Sequence, residues 1–112
     1  MERRYRLQKN KSFQYVYHRG RSAACRDLVM LVAKGRGMKV GFSVSKKVGN
    51  SIVRHRLTRL IRESYRLNEE LFPCGKDIVV IARAAAKGKG CREIESALLH
   101  LGRLHRMIQI NQ

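Results

Sequence analysis

Between Val40 and Ser45 the chain alternates strictly, with Val40, Phe42 and Val44 on one side and Gly41, Ser43 and Ser45 on the other. A period of two predicts a half-buried strand. Its second side carries only small residues, so either another backbone or a packed helix can lie against it. From Ser51 the period becomes helical: Val53, Leu57, Leu60, Ile61, Ser64 and Leu67 gather on one side, which predicts an amphipathic helix. Gly49-Asn50 between the two is a turn signal, because both residues tolerate left-handed dihedrals, and either Asn50 or Ser51 can cap the helix.

The same reading extends to both ends of the chain. A short helix can start at Asn10 or Ser12 and stop at Gly20, with Phe13, Val16 and Tyr17 on a shared face. Asp27 to Lys34 is a nearly continuous apolar run, and with the strand at 40–45 it brackets Gly35-Arg36-Gly37, the pattern of a hairpin. Asn68 to Lys76 holds the only proline, Pro73, and reads as a loop. Asp77 to Arg83 is apolar on both sides and predicts a central strand. After a basic Gly-Lys connection, Arg92 to Met107 places Ile94, Ala97, Leu98, Leu101, Leu104 and Ile108 at helical spacing. The expected order is helix, strand, strand, helix, strand, helix: an α+β fold, a two-layer α/β sandwich in which helices cover one sheet. At 112 residues, 1–112 make one domain.

Charge then changes the picture of the 51–67 helix. His55, Arg59, Arg62 and Arg66 fall in a stripe roughly 60° wide opposite the apolar face, with Arg54 and Arg56 flanking it. Solvated helix faces usually mix signs, whereas like charges four residues apart repel by a few tenths of a kcal/mol per pair. Arg62 and Arg66 are such a pair, and only Glu63 offers relief. A polyanion turns that repulsion into attraction, and arginine suits phosphate because its planar fork donates two hydrogen bonds at once. Lys46 and Lys47 precede a helix N-terminus, whose free amides also suit a phosphate oxygen.

The whole composition points the same way. The 25 Lys and Arg against eight Asp and Glu give a formal net charge of +17 and a sequence pI near 11.0, a load that an acidic partner relieves. Nucleic acid is the first candidate, since the charge is not confined to one interfacial helix or tail as a membrane anchor needs. No signal peptide or transmembrane stretch is readable. Three well-separated cysteines, Cys25, Cys74 and Cys91, form no paired motif and fit a reducing, cytoplasmic setting. Residues 1–9 read as a basic, flexible arm that a partner is expected to order. Phe13 and Tyr17, four apart, serve either as core packing or as a platform for unstacked bases. The carboxylates and histidines show no acid/base pair, zinc spacing or nucleophile motif, so no catalytic or metal-ligating residue is expected.

The run FSVSKKVGN, then Val53-Arg54-His55-Arg56-Leu57 and Arg59-Leu60-Ile61-Arg62-Glu63, resembles the protein subunit of bacterial ribonuclease P. That family carries a strand ending in a Ser-Lys-Lys-like segment, a Gly-Asn, and a helix with an Arg-Asn-Arg core, whose middle position is His55 here. The resemblance implies a ribonucleoprotein in which an RNA subunit with bound Mg2+ removes the 5′ leader of precursor tRNA. It implies no obligate protein partner, and a left-handed crossover in the βαβ unit against the usual rule. By the same resemblance Arg54, His55, Arg56, Arg59 and Arg62 contact the RNA subunit near the scissile region, and Lys46, Lys47 and Asn50 belong to the loop entering that helix. Phe13, Tyr17 and Leu31, with the small face of Ser43 and Ser45, match a cleft for the single-stranded leader; Leu31 stands where many relatives have an aromatic. On composition alone a ribosomal-type RNA-binding protein or an RNA chaperone is the alternative.

Overall fold

The computed structural model describes residues 16, 18–34, 39–72 and 76–105. Among them the strands are β1 (Arg21–Ala24), β2 (Leu28–Lys34), β3 (Lys39–Val44) and β4 (Lys76–Ala82), and the helices are α1 (Ser51–Asn68) and α2 (Cys91–Leu104). Short 3-10 turns follow α1 at Glu69–Leu71 and β4 at Ala84–Ala86.

The sheet order is β1-β2-β4-β3. β4 runs antiparallel to β2 and parallel to β3. The hairpin expected between 27–34 and 40–45 therefore does not form, because β4 lies between its two arms. Ile78, Val79 and Val80 are all fully buried, and a strand that is apolar on both faces belongs in the middle of a sheet, where both edges are also paired. Turn residues between two apolar runs carry no information about a later strand that can enter between them.

The element order also differs from expectation: strand, strand, strand, helix, strand, helix. β1, the strand missing from that expectation, reads RSAA, and only Ala23 in it is half-buried. It pairs with β2 alone, and an edge strand of that kind needs no apolar alternation. The early helix lies mostly outside the described residues, although Val16, His18 and Arg19 are helical. Gly20 then donates its N–H to the Val16 carbonyl at 2.8 Å. A Cβ at Gly20 would stand 2.4 Å from that same oxygen and 3.0 Å from the Val32 oxygen, so the position is small because two backbones meet there.

Both helices pack on one face of the sheet. That face consists of Leu28, Met30 and Val32 from β2, Val40, Phe42 and Val44 from β3, and Ile78, Val80 and Ala82 from β4, and it meets Leu57, Ile61 and Tyr65 of α1 and Ile94, Leu98 and Leu101 of α2. Each such aliphatic chain contributes roughly 1.5–3 kcal/mol when fully buried. Leu104, expected on the apolar side of α2, is 52% exposed, and Ile108 lies outside the described residues. The opposite face holds a smaller cluster of Val16, Leu31, Ala33 and Val79, with Ile81 against it.

Candidate nucleic-acid interface

Helix α1 is positioned by what precedes it. The Val48 N–H donates to the Ser45 carbonyl at 3.1 Å and Val48 itself is buried, so the turn is pinned while Lys46 and Lys47 stay exposed. Asn50, in extended backbone, accepts the Val53 N–H through Oδ1 at 3.0 Å. Asn50 is thus the cap, and Ser51 begins the helix. Gly49 does not use left-handed dihedrals, since among the described glycines only Gly88 has positive φ. Its Cβ would lie 2.8 Å from Val53 Cγ1, so lack of space dictates the residue. No acid stands in the first turn of α1, which leaves the positive end of its dipole beside two lysines.

Leu57, Ile61, Ser64 and Tyr65 are the buried residues of α1. The Tyr65 ring lies 6.2 Å from Phe42 and 5.1 Å from Phe72, centre to centre. Leu67, expected on this side, is 56% exposed; it follows Tyr65 by two residues and so points roughly 160° away from it.

The rest of the helix carries the charge. His55, Arg56, Arg59 and Arg66 are exposed, while Arg54 and Arg62 are half-buried on its flank. The Nε atoms of Arg54 and Arg62 are out of water with no hydrogen-bond partner, so each side chain is packed along its stem at least as far as Nε. Ser51, Ile52, His55, Arg56, Arg59, Leu60 and Glu63 line an open groove of about 780 Å3. Ile52, 78% exposed, gives it an apolar lip.

Two of the expected contact residues are partly engaged within the fold. Arg66 donates to Glu63 through both Nε, at 3.0 Å, and Nη2. The hydrogen bond from Arg66 holds the Glu63 carboxyl below its ordinary range, although the pair is open to solvent. Arg56 Nη2 donates to the Lys89 carbonyl at 3.1 Å and so fastens the start of α1 to the segment before α2. Among the described residues, Arg54, His55, Arg59 and Arg62 make no ion pair. A further tie was not legible in the chain: Asn68 Nδ2 donates to Ser64 O at 2.8 Å and to Glu95 Oε2 at 2.7 Å, across 27 positions that no spacing rule connects.

The candidate cleft residues stand elsewhere. Leu31 is buried on the opposite face of the sheet. Gly41 lies beside Val79, and Ser43 beside Ile81, in register on that same face. Ser45 is exposed just past the end of β3, and Phe13 and Tyr17 lie outside the described residues. Lys46, Lys47 and Asn50 are thus brought to the start of the basic helix. Leu31 and Ser43 are separated from that helix by the thickness of the sheet, and the two surfaces meet only around the β3 edge. No three His, Cys, Asp or Glu stand together as a metal site among the described residues.

The Ribonuclease P family model matches residues 1–105. The chain belongs to the ribonuclease P protein family. It is 52% identical to the ribonuclease P protein component of Lachnoclostridium phytofermentans, over 95% of this chain and 93% of that one. It is 47% identical to the component of Alkaliphilus metalliredigens, over 96% and 99%. Its structure resembles that of the Staphylococcus aureus RNase P protein with a TM-score of 0.81 at 34% identity, covering 94% and 98% of the two chains. Membership of the ribonuclease P protein family makes it the RNA-binding protein component of the tRNA-processing ribonucleoprotein and a part of the endoribonuclease holoenzyme. No helix among the described residues is long and apolar enough to cross a membrane.

Proposed function

We propose that α1 and the turn before it grip the ribonuclease P RNA subunit, and that the small-residue face of β3 lies along the 5′ leader of precursor tRNA. The observation that carries this reading is the uncompensated charge of Arg54, Arg59 and Arg62, with His55 among them, on a helix whose other side is committed to the core. Phosphates approaching that side release counterions and relieve like-charge repulsion. The groove lined by Arg56, Arg59 and Leu60, with Ile52 at its lip, offers arginine planes on which an unpaired base can stack. Lys46, Lys47 and the first turn of α1 add a phosphate cradle at one end. Leu31 is too deeply buried to be a stacking platform, so in this reading it supports the leader surface from below. The holoenzyme works in the cytoplasm on precursor tRNA without an obligate second protein. Mg2+ is held mainly by the RNA; the protein lowers repulsion between the two RNAs and so favours occupancy of the metal sites at the scissile bond. The β3-α1-β4 crossover is left-handed in this reading.

Arg59→Gln with Arg62→Gln tests it, because glutamine keeps much of each stem and removes only charge. Binding to the RNA subunit should fall by ten- to a hundredfold, and the slope of log K against log salt should flatten by roughly 1.5–2. A folded variant with an unchanged slope would refute the assignment. Leader recognition is read separately: the protein should tighten precursor tRNA binding to the RNA subunit far more than mature tRNA binding.

A further inference from the structure

A second basic site stands at the other end of the sheet. Arg19, Arg21, Lys34, Lys76 and His105 line a cavity of about 250 Å3 together with Val32 and Ala33, and no carboxylate is among its described lining residues. Strand register explains the convergence. Lys34 lies directly opposite Lys76, and Arg21 directly opposite Val32. Val32 and Lys34 are two residues apart, so Arg21, Lys34 and Lys76 leave three adjacent strands on one face. Asp77, next to Lys76, pairs with Ala33 and belongs to the other face.

Like charges directly opposite each other across a ladder are destabilising, and the neighbouring Arg19 and Arg21 add to the field. Lys34 is already engaged within the fold, so Arg19, Arg21 and Lys76 supply the charge that a ligand would meet. His105 closes the corner from the end of α2. Its Nε2 lies 2.9 Å from the Met30 carbonyl oxygen, to which only a protonated ring nitrogen can donate, and that hydrogen bond fixes the ring at the mouth.

We infer that this corner is a phosphate-binding site that holds the ribose-phosphate backbone of a second RNA segment. Arginine and lysine side chains that converge with no acid among the described lining residues are suited to a phosphate oxyanion. β4 runs from Lys76 toward Ala82 parallel to β3, so the corner and the Lys46–Asn50 turn lie at opposite ends of the sheet, about 20 Å apart by strand rise. That separation lets one protein hold two stretches of RNA at a set distance. The choice of RNA over a free phosphate rests on the function proposed above, whereas the oxyanion chemistry does not.

The test uses the full chain with Arg21→Gln and Lys76→Gln together, and circular dichroism verifies its fold. Binding of the RNA subunit should weaken about tenfold and the salt slope should flatten by roughly one, while inorganic phosphate shifts the His105 ring resonances only at tens of millimolar. If inorganic phosphate saturates that shift below a millimolar and RNA binding is unchanged, the site is real but serves a small phosphate. If neither RNA binding nor the His105 resonances respond, the inference is overturned. The Arg59→Gln, Arg62→Gln variant run in parallel separates the two readings: loss of RNA affinity there, with silence at the corner, removes this site and leaves the α1 interface standing.

Discussion

Asn50 combines an observed role in folding with a proposed place beside phosphate, and three substitutions separate them. Alanine removes the Oδ1 that accepts the Val53 N–H at 3.0 Å and orphans a donor at the start of α1. The typical cost is about 1 kcal/mol, or roughly 4 °C in melting temperature for a domain of this size. Serine keeps a capping oxygen and should change neither stability nor binding. Aspartate keeps the cap and also places a carboxylate at a first turn that has no acid, which adds about 0.3–1 kcal/mol through the helix dipole. That same carboxylate, about 4 Å from a phosphate, costs about 1 kcal/mol even in bulk water and more at an interface. Asn50→Asp should therefore melt a degree or more higher and bind the RNA subunit at least fivefold more weakly. Thermal melts and filter binding at two salt concentrations read both quantities. If Asn50→Asp is more stable and binds RNA as well as the parent, the start of α1 does not face phosphate. If Asn50→Ala melts with the parent, the cap contributes nothing to the fold.

Two further outcomes are expected. Tyr65→Ala removes a fully buried ring that meets Phe42 edge-on and Phe72 at a tilt and should cost roughly 3–5 kcal/mol, read as a fall in urea midpoint; a loss under 1 kcal/mol would mean that the core collapses into the gap. Glu63→Gln releases Arg66 and should raise RNA affinity a few-fold with at most a slight fall in melting temperature at neutral pH, since the pair is exposed, and reduced affinity would show that Glu63 holds Arg66 in its binding pose. Because the Glu63 carboxyl is lowered by the Arg66 hydrogen bond, whatever the pair adds to stability is fully present above the ordinary glutamate value of about 4.3. It is lost as pH falls through the lower folded value, so melting temperature between pH 6 and 8 should be insensitive to this group.

Legibility followed the physics of each element. β3, α1, β4 and α2 were readable because each buries one face or both, and burial imposes a period on the chain. The basic stripe of α1 was readable for the same reason: once Leu57 and Ile61 fix the core side, the angular position of every other residue follows. β1 was not readable, because an exposed edge strand of four residues imposes no period. The insertion of β4 between β2 and β3 was equally hidden, since pairing is settled by which strand most needs two neighbours, a comparison across the whole sheet. The identity of the cap was also hidden, as Asn50 and Ser51 are chemically equivalent candidates and only the hydrogen bond from the Val53 N–H to Asn50 Oδ1 distinguishes them. Likewise the split of Arg54, Arg56, Arg62 and Arg66 into packed, tethered and paired side chains depends on Lys89 and on local depth, and neither is written in the helix itself.

Where the few acids stand explains why so much charge can be carried without spoiling the surface that is proposed to bind. Eight carboxylates stand against 25 Lys and Arg, and Asp27, Glu63, Glu93 and Glu95 are engaged in contacts within the fold. Asp27 faces Arg26 at 3.5 Å, Glu93 faces Lys89 at 3.9 Å and also accepts the Gly90 N–H, Glu95 accepts from Asn68, and Glu63 holds Arg66. The Glu93 and Glu95 contacts tie α2 to its own start and to the end of α1, so they secure the helix layer. None of them reaches Arg54, His55, Arg59 or Arg62. An acid placed among those four would quiet the free protein, but every phosphate arriving later would have to displace it, and the gain on binding would shrink by the strength of the pair broken. Leaving them uncompensated instead loads the free fold with repulsion of a few tenths of a kcal/mol per neighbouring pair. The buried line of Leu57, Ile61 and Tyr65 outweighs that cost by an order of magnitude, so the hydrophobic side of α1 is what allows its other side to remain a one-sign surface.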